Sequence, residues 1–95
     1  MTQKKTGAND AGHIASNGTT TFKSGRGVLQ CVTINSKGGG GNTATIYDSA
    51  TGSGAVLAVV DTGQVQTLTY SIQFNNGLTI VTAGGTPPDL TVSYQ

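Results

Sequence analysis

The sequence predicts an all-β fold: an antiparallel β-sandwich or jelly-roll-like unit of about seven strands, with an extended N-terminal arm. Three observations predict it. The 95 residues include 16 Thr, 8 Val and 5 Ile but no Glu and no Trp. β-branched residues favour strands, whereas a helical bundle draws on Glu, Lys, Leu and Ala for its helix faces. In Gln64–Asn75, Leu68, Tyr70, Ile72 and Phe74 alternate with Thr67, Thr69, Ser71 and Gln73, which gives one buried and one wet face. Turn signals recur about every 8 to 12 residues, the spacing of sandwiches and barrels.

The elements follow in order. Residues 1–18 are polar and glycine-punctuated, with Ile14 as the one strong apolar anchor; this reads as an arm outside the 19–95 domain. Thr19–Ser24 is a short strand around Phe22. Gly27–Ser36 is a longer one, with Val28, Val32 and Ile34 on one face and Leu29 and Cys31 on the other. Lys37–Asn42 is a glycine loop making a hairpin connection to Thr43–Asp48. Ser49–Gly54 turns into Ala55–Val60, a continuous apolar run that reads as a buried strand. Asp61-Thr62-Gly63 is a tight turn. Asn75-Asn76-Gly77 is a type I′ hairpin signal, so Leu78–Thr82 is expected to pair back on Gln64–Asn75. Ala83–Asp89, stiffened by Pro87 and Pro88, leads to Leu90–Gln95, with Leu90, Val92 and Tyr94 inward.

Composition also bounds function. Five Lys and Arg against four Asp leave a net charge of +1, too little to drive nucleic-acid binding by counterion release. The single Cys31 cannot form an internal disulfide. No apolar run approaches the length of a membrane span. Met1–Ser16 has two lysines and no apolar centre, so a cleavable secretory signal is not expected; the chain is expected to fold in a reducing cytoplasm. Without the arm the domain is small, and domains of this size are commonly supported by disulfides, metal or association. Association is the expected support here: a homo-oligomer, trimer first and dimer second.

No enzyme constellation emerges. One His, one Cys and no Glu do not make an intrachain zinc site. His13, in the arm beside Asp10, reads as a solvated side chain, and no nucleophile elbow accompanies it. The four aspartates fall in turns or at strand ends. Gly38–Gly41 lacks the Lys-Ser/Thr and the helix of a phosphate loop. No catalytic residue, cofactor or metal is expected. Tyr70 and Tyr94 read as core, and Tyr47, with Asp48 and Asn42, is the trio a glycan-binding module would use.

From Phe22 to Gln95 the chain resembles small tailed-phage virion proteins. The resemblance is carried by Gly27-Val28-Leu29, Val32-Thr33-Ile34, Thr45-Ile46-Tyr47-Asp48 with its Ser49–Gly54 turn, and the stretch from Leu78-Thr79-Ile80-Val81-Thr82 through Ala83-Gly84-Gly85-Thr86 to Leu90-Thr91-Val92-Ser93-Tyr94. It is similar to capsid decoration (cement) proteins, β-sandwich or jelly-roll units that sit over joints between capsid subunits. The resemblance implies a virion structural protein on the outer capsid surface, made in the host cytoplasm, with the major capsid protein as partner and neither nucleic acid nor membrane. It equally implies another virion position, such as a tail, head-fibre or neck component; a glycan- or receptor-binding module on a tail or head fibre is the separate alternative. An ordered arm is expected to lie on a partner, either a neighbouring copy by strand addition or the capsid surface; Lys4 and Lys5 then meet acidic groups and Ile14 fills an apolar pocket.

Overall fold

Period-two patterning resolves, in the computed structural model, into eight antiparallel strands; the structure describes residues 10–95. They are β1 (Asp10–Ile14), β2 (Gly18–Ser24), β3 (Gly27–Ser36), β4 (Thr43–Asp48), β5 (Ala55–Asp61), β6 (Gln66–Phe74), β7 (Gly77–Ala83) and β8 (Asp89–Tyr94). No helix occurs among the described residues. The strands form two four-stranded sheets, ordered β1-β8-β3-β6 and β2-β7-β4-β5. Leu29, Val32, Ile34 and Phe74 from the first sheet and Ala44, Ile46, Val60, Leu78 and Ile80 from the second share one buried core. Burial in β6 alternates as the sequence predicts: Leu68 and Tyr70 pack against that core, while Thr67, Thr69, Ser71 and Gln73 are exposed.

The eighth strand is β1, and it moves the expected boundary between arm and domain. Asp10–Ile14 pairs with Tyr94–Leu90 in the domain's own sheet. Ile14 is 3% exposed and sits in the core, so burial of about 1.5–3 kcal/mol of apolar side chain helps to hold β1 down. Gly12 is needed there: a Cβ on it would run into the Phe22 ring. Within residues 1–18, the first nine lie outside the described residues.

Connectivity differs from the hairpins the turns predict. Only β4 and β5 are chain neighbours within one sheet; every other connection crosses from sheet to sheet. Thus β7 does not pair back on β6 but lies between β2 and β4. Asn75 and Asn76 have negative φ, so no type I′ turn forms. Their backbone N–H groups instead donate to Asp48 Oδ1, at 2.9 and 2.7 Å. Gly77 is there for closeness: a Cβ would come within 2.7 Å of the Ser49 carbonyl oxygen. The glycine loop after β3 likewise crosses between sheets rather than closing a hairpin, and Gly39 bridges to Thr86.

Two further expectations are corrected. Leu29 shares the core with Val32 and Ile34 instead of facing away from them. The reason is accumulated β-bulging. Between the same two rungs, β8 runs from Tyr94 to Val92, β3 from Leu29 to Val32 and β6 from Ile72 to Leu68. Each successive strand carries one more residue, so the in–out parity of β3 flips at Gln30-Cys31. Ser71, within the wide part of β6, takes φ 55°. The apolar run of β5 is only half buried: Val60 lies in the core and Leu57 and Ala58 pack against it, while Ala55, Val56 and Val59 are exposed on this edge strand. An extra residue at Leu57 shifts its register against β4. Val56 and Val59 pair with Tyr47 and Thr45, which point away from the core residue Ile46, so both valines lie on the outer face.

Candidate interaction surface

The two ends of the sandwich are tied by polar side chains that also fix what each end can offer. At one end four crossovers converge on Asn42. Its Nδ2 donates to Asn17 Oδ1 at 2.8 Å and to the Gly84 carbonyl at 2.7 Å. The buried Thr62 hydroxyl donates to Asn42 Oδ1 at 2.7 Å, with the Asn42 carbonyl 3.1 Å away. These residues belong to the β1–β2, β3–β4, β5–β6 and β7–β8 connections. At the other end Asp48 holds the β6–β7 turn, and the Thr79 hydroxyl donates to the Ser49 carbonyl at 2.8 Å. Among the described residues no buried side-chain polar atom lacks a partner, as folded interiors require.

On the outer face of the first sheet His13 Nε2 lies 2.8 Å from Asp89 Oδ1. Asn35 Nδ2 donates to the same carboxylate oxygen at 2.9 Å and to the Thr91 hydroxyl at 2.8 Å. The Asn35 amide, followed by the hydrogen bond and charge of His13, holds the Asp89 carboxyl below the usual range, with slight desolvation opposing. This exposed group fastens β1 and β3 to the start of β8. Among the described residues no three His, Cys, Asp or Glu come together as metal ligands. Cys31 is a half-buried free thiol. Burial pushes the Tyr70 and Tyr94 hydroxyls up, Asp10 adding to the effect at Tyr94.

The residues expected to touch a partner separate. Lys4 and Lys5 lie outside the described residues. Ile14 is corrected: the apolar pocket it fills is its own domain's core, because pairing on β8 turns its side chain inward. The Tyr47, Asp48 and Asn42 trio is not assembled into one loop cluster. Asn42 precedes β4 and is buried, Asp48 ends the strand in a hydrogen-bonded turn, and Tyr47 is half-buried on the outer face.

What the surface does present is apolar. Val56, Val59 and Val65 are 53%, 62% and 63% exposed and are the exposed large hydrophobics among the described residues. All three fall within β5 and the connection that follows it. The rest of the second sheet's outer face is partly self-covered: the β4–β5 loop folds back over it, with Gly52 against the Thr19 and Val81 side chains and Thr21 bonded to the Ala50 carbonyl. A shallow cleft of about 320 Å³ lies between Lys23, Arg26, Val28, Gln73 and Gln95. The sequence did not reveal the valine surface because exposure depends on β5 being an edge, and strand order is not written in local pattern; the signal available was an apolar run directly after the Ser49–Gly54 turn that joins β4 to β5. No family model matches the chain, and no curated protein matches it.

Proposed function

We propose that the chain is a structural protein of a tailed-phage virion, a capsid decoration (cement) protein that binds the outer capsid at junctions between major capsid subunits and stabilises the head. The observation that carries the reading is the strand order. Sheets β1-β8-β3-β6 and β2-β7-β4-β5, with chain neighbours alternating between them, fit a jelly roll, an architecture used by viral capsid domains and also by lectins and cupins. Fold alone does not select among these. The resemblance of residues 22–95 to small virion proteins favours the first. The glycan- or receptor-binding reading, or a fibre, tail or neck place, has less support, since the trio it relies on is split along β4.

The physical task is stapling. A protein that binds only assembled capsid stabilises it by mass action, and contacts to several subunits at once gain from high effective concentration. Lys4 and Lys5 remain part of this proposal as groups that meet acidic capsid residues; Ile14 does not. The test is to label the protein on purified particles and to compare the heat survival of heads with and without it. Label over the head with earlier DNA release from bare heads is the expected result. Label confined to the tail or fibres, or a glycan-array signal with none on heads, overturns it.

A further inference from the structure

The four sheet edges are guarded unequally. Edge strands expose unpaired backbone groups and are commonly protected by charge, Pro or bulges. β1 carries Asp10 and His13, β2 carries Lys23 and a bulge at Phe22, and β6 exposes Thr67, Thr69 and Gln73 around its own bulge. β5 is Ala-Val-Leu-Ala-Val-Val before its one charge, Asp61. Its bulge at Leu57 leaves Ala58–Asp61 in unbroken register with Ile46–Thr43, a regular stretch whose far side pairs with no strand among the described residues.

We infer that β5 joins two copies of this chain, edge to edge and antiparallel about a two-fold axis at Val59. Three features select this occupant and this register. The strand is uncharged except at Asp61, so it offers nothing to steer a charged partner. In-register parallel pairing would set Asp61 against Asp61, whereas an antiparallel ladder over Ala58–Val60, ending before the bulge residue Leu57, keeps the two Asp61 side chains at its opposite ends. Residues paired across an antiparallel ladder share a face. Centring on Val59 places Val59 against Val59 on the outer face and Ala58 against Val60 on the core side, matching the faces that these residues already take. The contact is isologous, so it closes as a dimer and not as a trimer. It joins two four-stranded sheets into one of eight.

The inference stands on the fold and is independent of where the protein sits on a virion. The test uses the full chain in sedimentation equilibrium, beside Val59→Lys, Val65→Lys and Val59→Cys variants. Wild type and Val65→Lys are expected to be dimers and Val59→Lys a monomer with a cooperative melt. Oxidised Val59→Cys is expected to run as a covalent dimer without reductant, since facing Cβ atoms in such a ladder lie about 4.5–5.5 Å apart; wild type, with Cys31 alone, is the baseline. A monomeric wild type overturns the proposal. So does a trimer, or a dimer that survives Val59→Lys while Val59→Cys fails to cross-link. Loss of capsid binding with the dimer intact would count against the virion reading and leave this one standing.

Discussion

At Asn42 one amide satisfies groups from three other crossovers: the Asn17 side chain, the Gly84 carbonyl and the buried Thr62 hydroxyl. Asn42→Ala is expected to cost about 1–2 kcal/mol, because Asn17 and the Gly84 carbonyl lose a donor and the Thr62 hydroxyl falls back on the Asn42 carbonyl 3.1 Å away; the shift in urea midpoint measures it. Asn42→Asp keeps the size but turns an oxygen toward two acceptors and buries a charge. It should be at least as damaging at neutral pH, with a deficit that narrows as acid protonates the carboxyl. Asp48 offers the reverse pH signature. The Asn76 N–H, followed by those of Asn75 and Gly77, outweighs partial desolvation and holds its carboxyl below the usual range. A folded-state pKa below the unfolded one gives stability that is fully present above the unfolded value and is lost as pH falls through the folded one. Asp48→Asn is therefore expected to flatten the acid limb of the stability profile, read as urea midpoint from neutral pH down to about pH 2.

β1 and β5 show how far periodicity reaches at the level of single strands. β6 was legible because one of its faces is buried and the other wet, so Leu68, Tyr70 and Phe74 alternate with Thr and Gln along the chain. β1 was not, since a five-residue edge strand with a glycine opposite a ring needs only Ile14 to dock. Ile14→Ala should cost about 2–4 kcal/mol in thermal or urea unfolding; a loss within about 0.5 kcal/mol would return this segment to the status of an arm. β5 misled in the other direction: six apolar residues read as interior, yet half the run is exposed, with Val56 and Val59 on the outer face of an edge strand. In β3 the in–out assignment failed at Gln30-Cys31, where the extra residue depends on what β6 and β8 do alongside and leaves no mark in the strand's own pattern.

For the molecule as a whole, class was readable and order was not. Thr, Val and turn spacing specify an all-β chain, but the chain crosses between sheets after Asn76 instead of closing a hairpin, and that turn is held by Asp48, 28 residues away. The same held for interaction surfaces: charge named Lys4 and Lys5, while the valine edge appeared only once the sheets were assembled. The Asn42 clasp carries a consequence in time. A chain whose strand pairings are nearly all non-local folds slowly, on the order of milliseconds to seconds, and a knot of four connections cannot close until the strands on either side of each have met. Its bonds belong to the last step of folding and the first of unfolding. In a denaturant chevron Asn42→Ala should accordingly steepen nothing on the refolding arm and raise the unfolding rate by nearly the whole of its equilibrium loss, about 5- to 30-fold for 1–2 kcal/mol. The clasp thus acts as a latch on lifetime, setting how long a folded subunit persists more than how fast it is made.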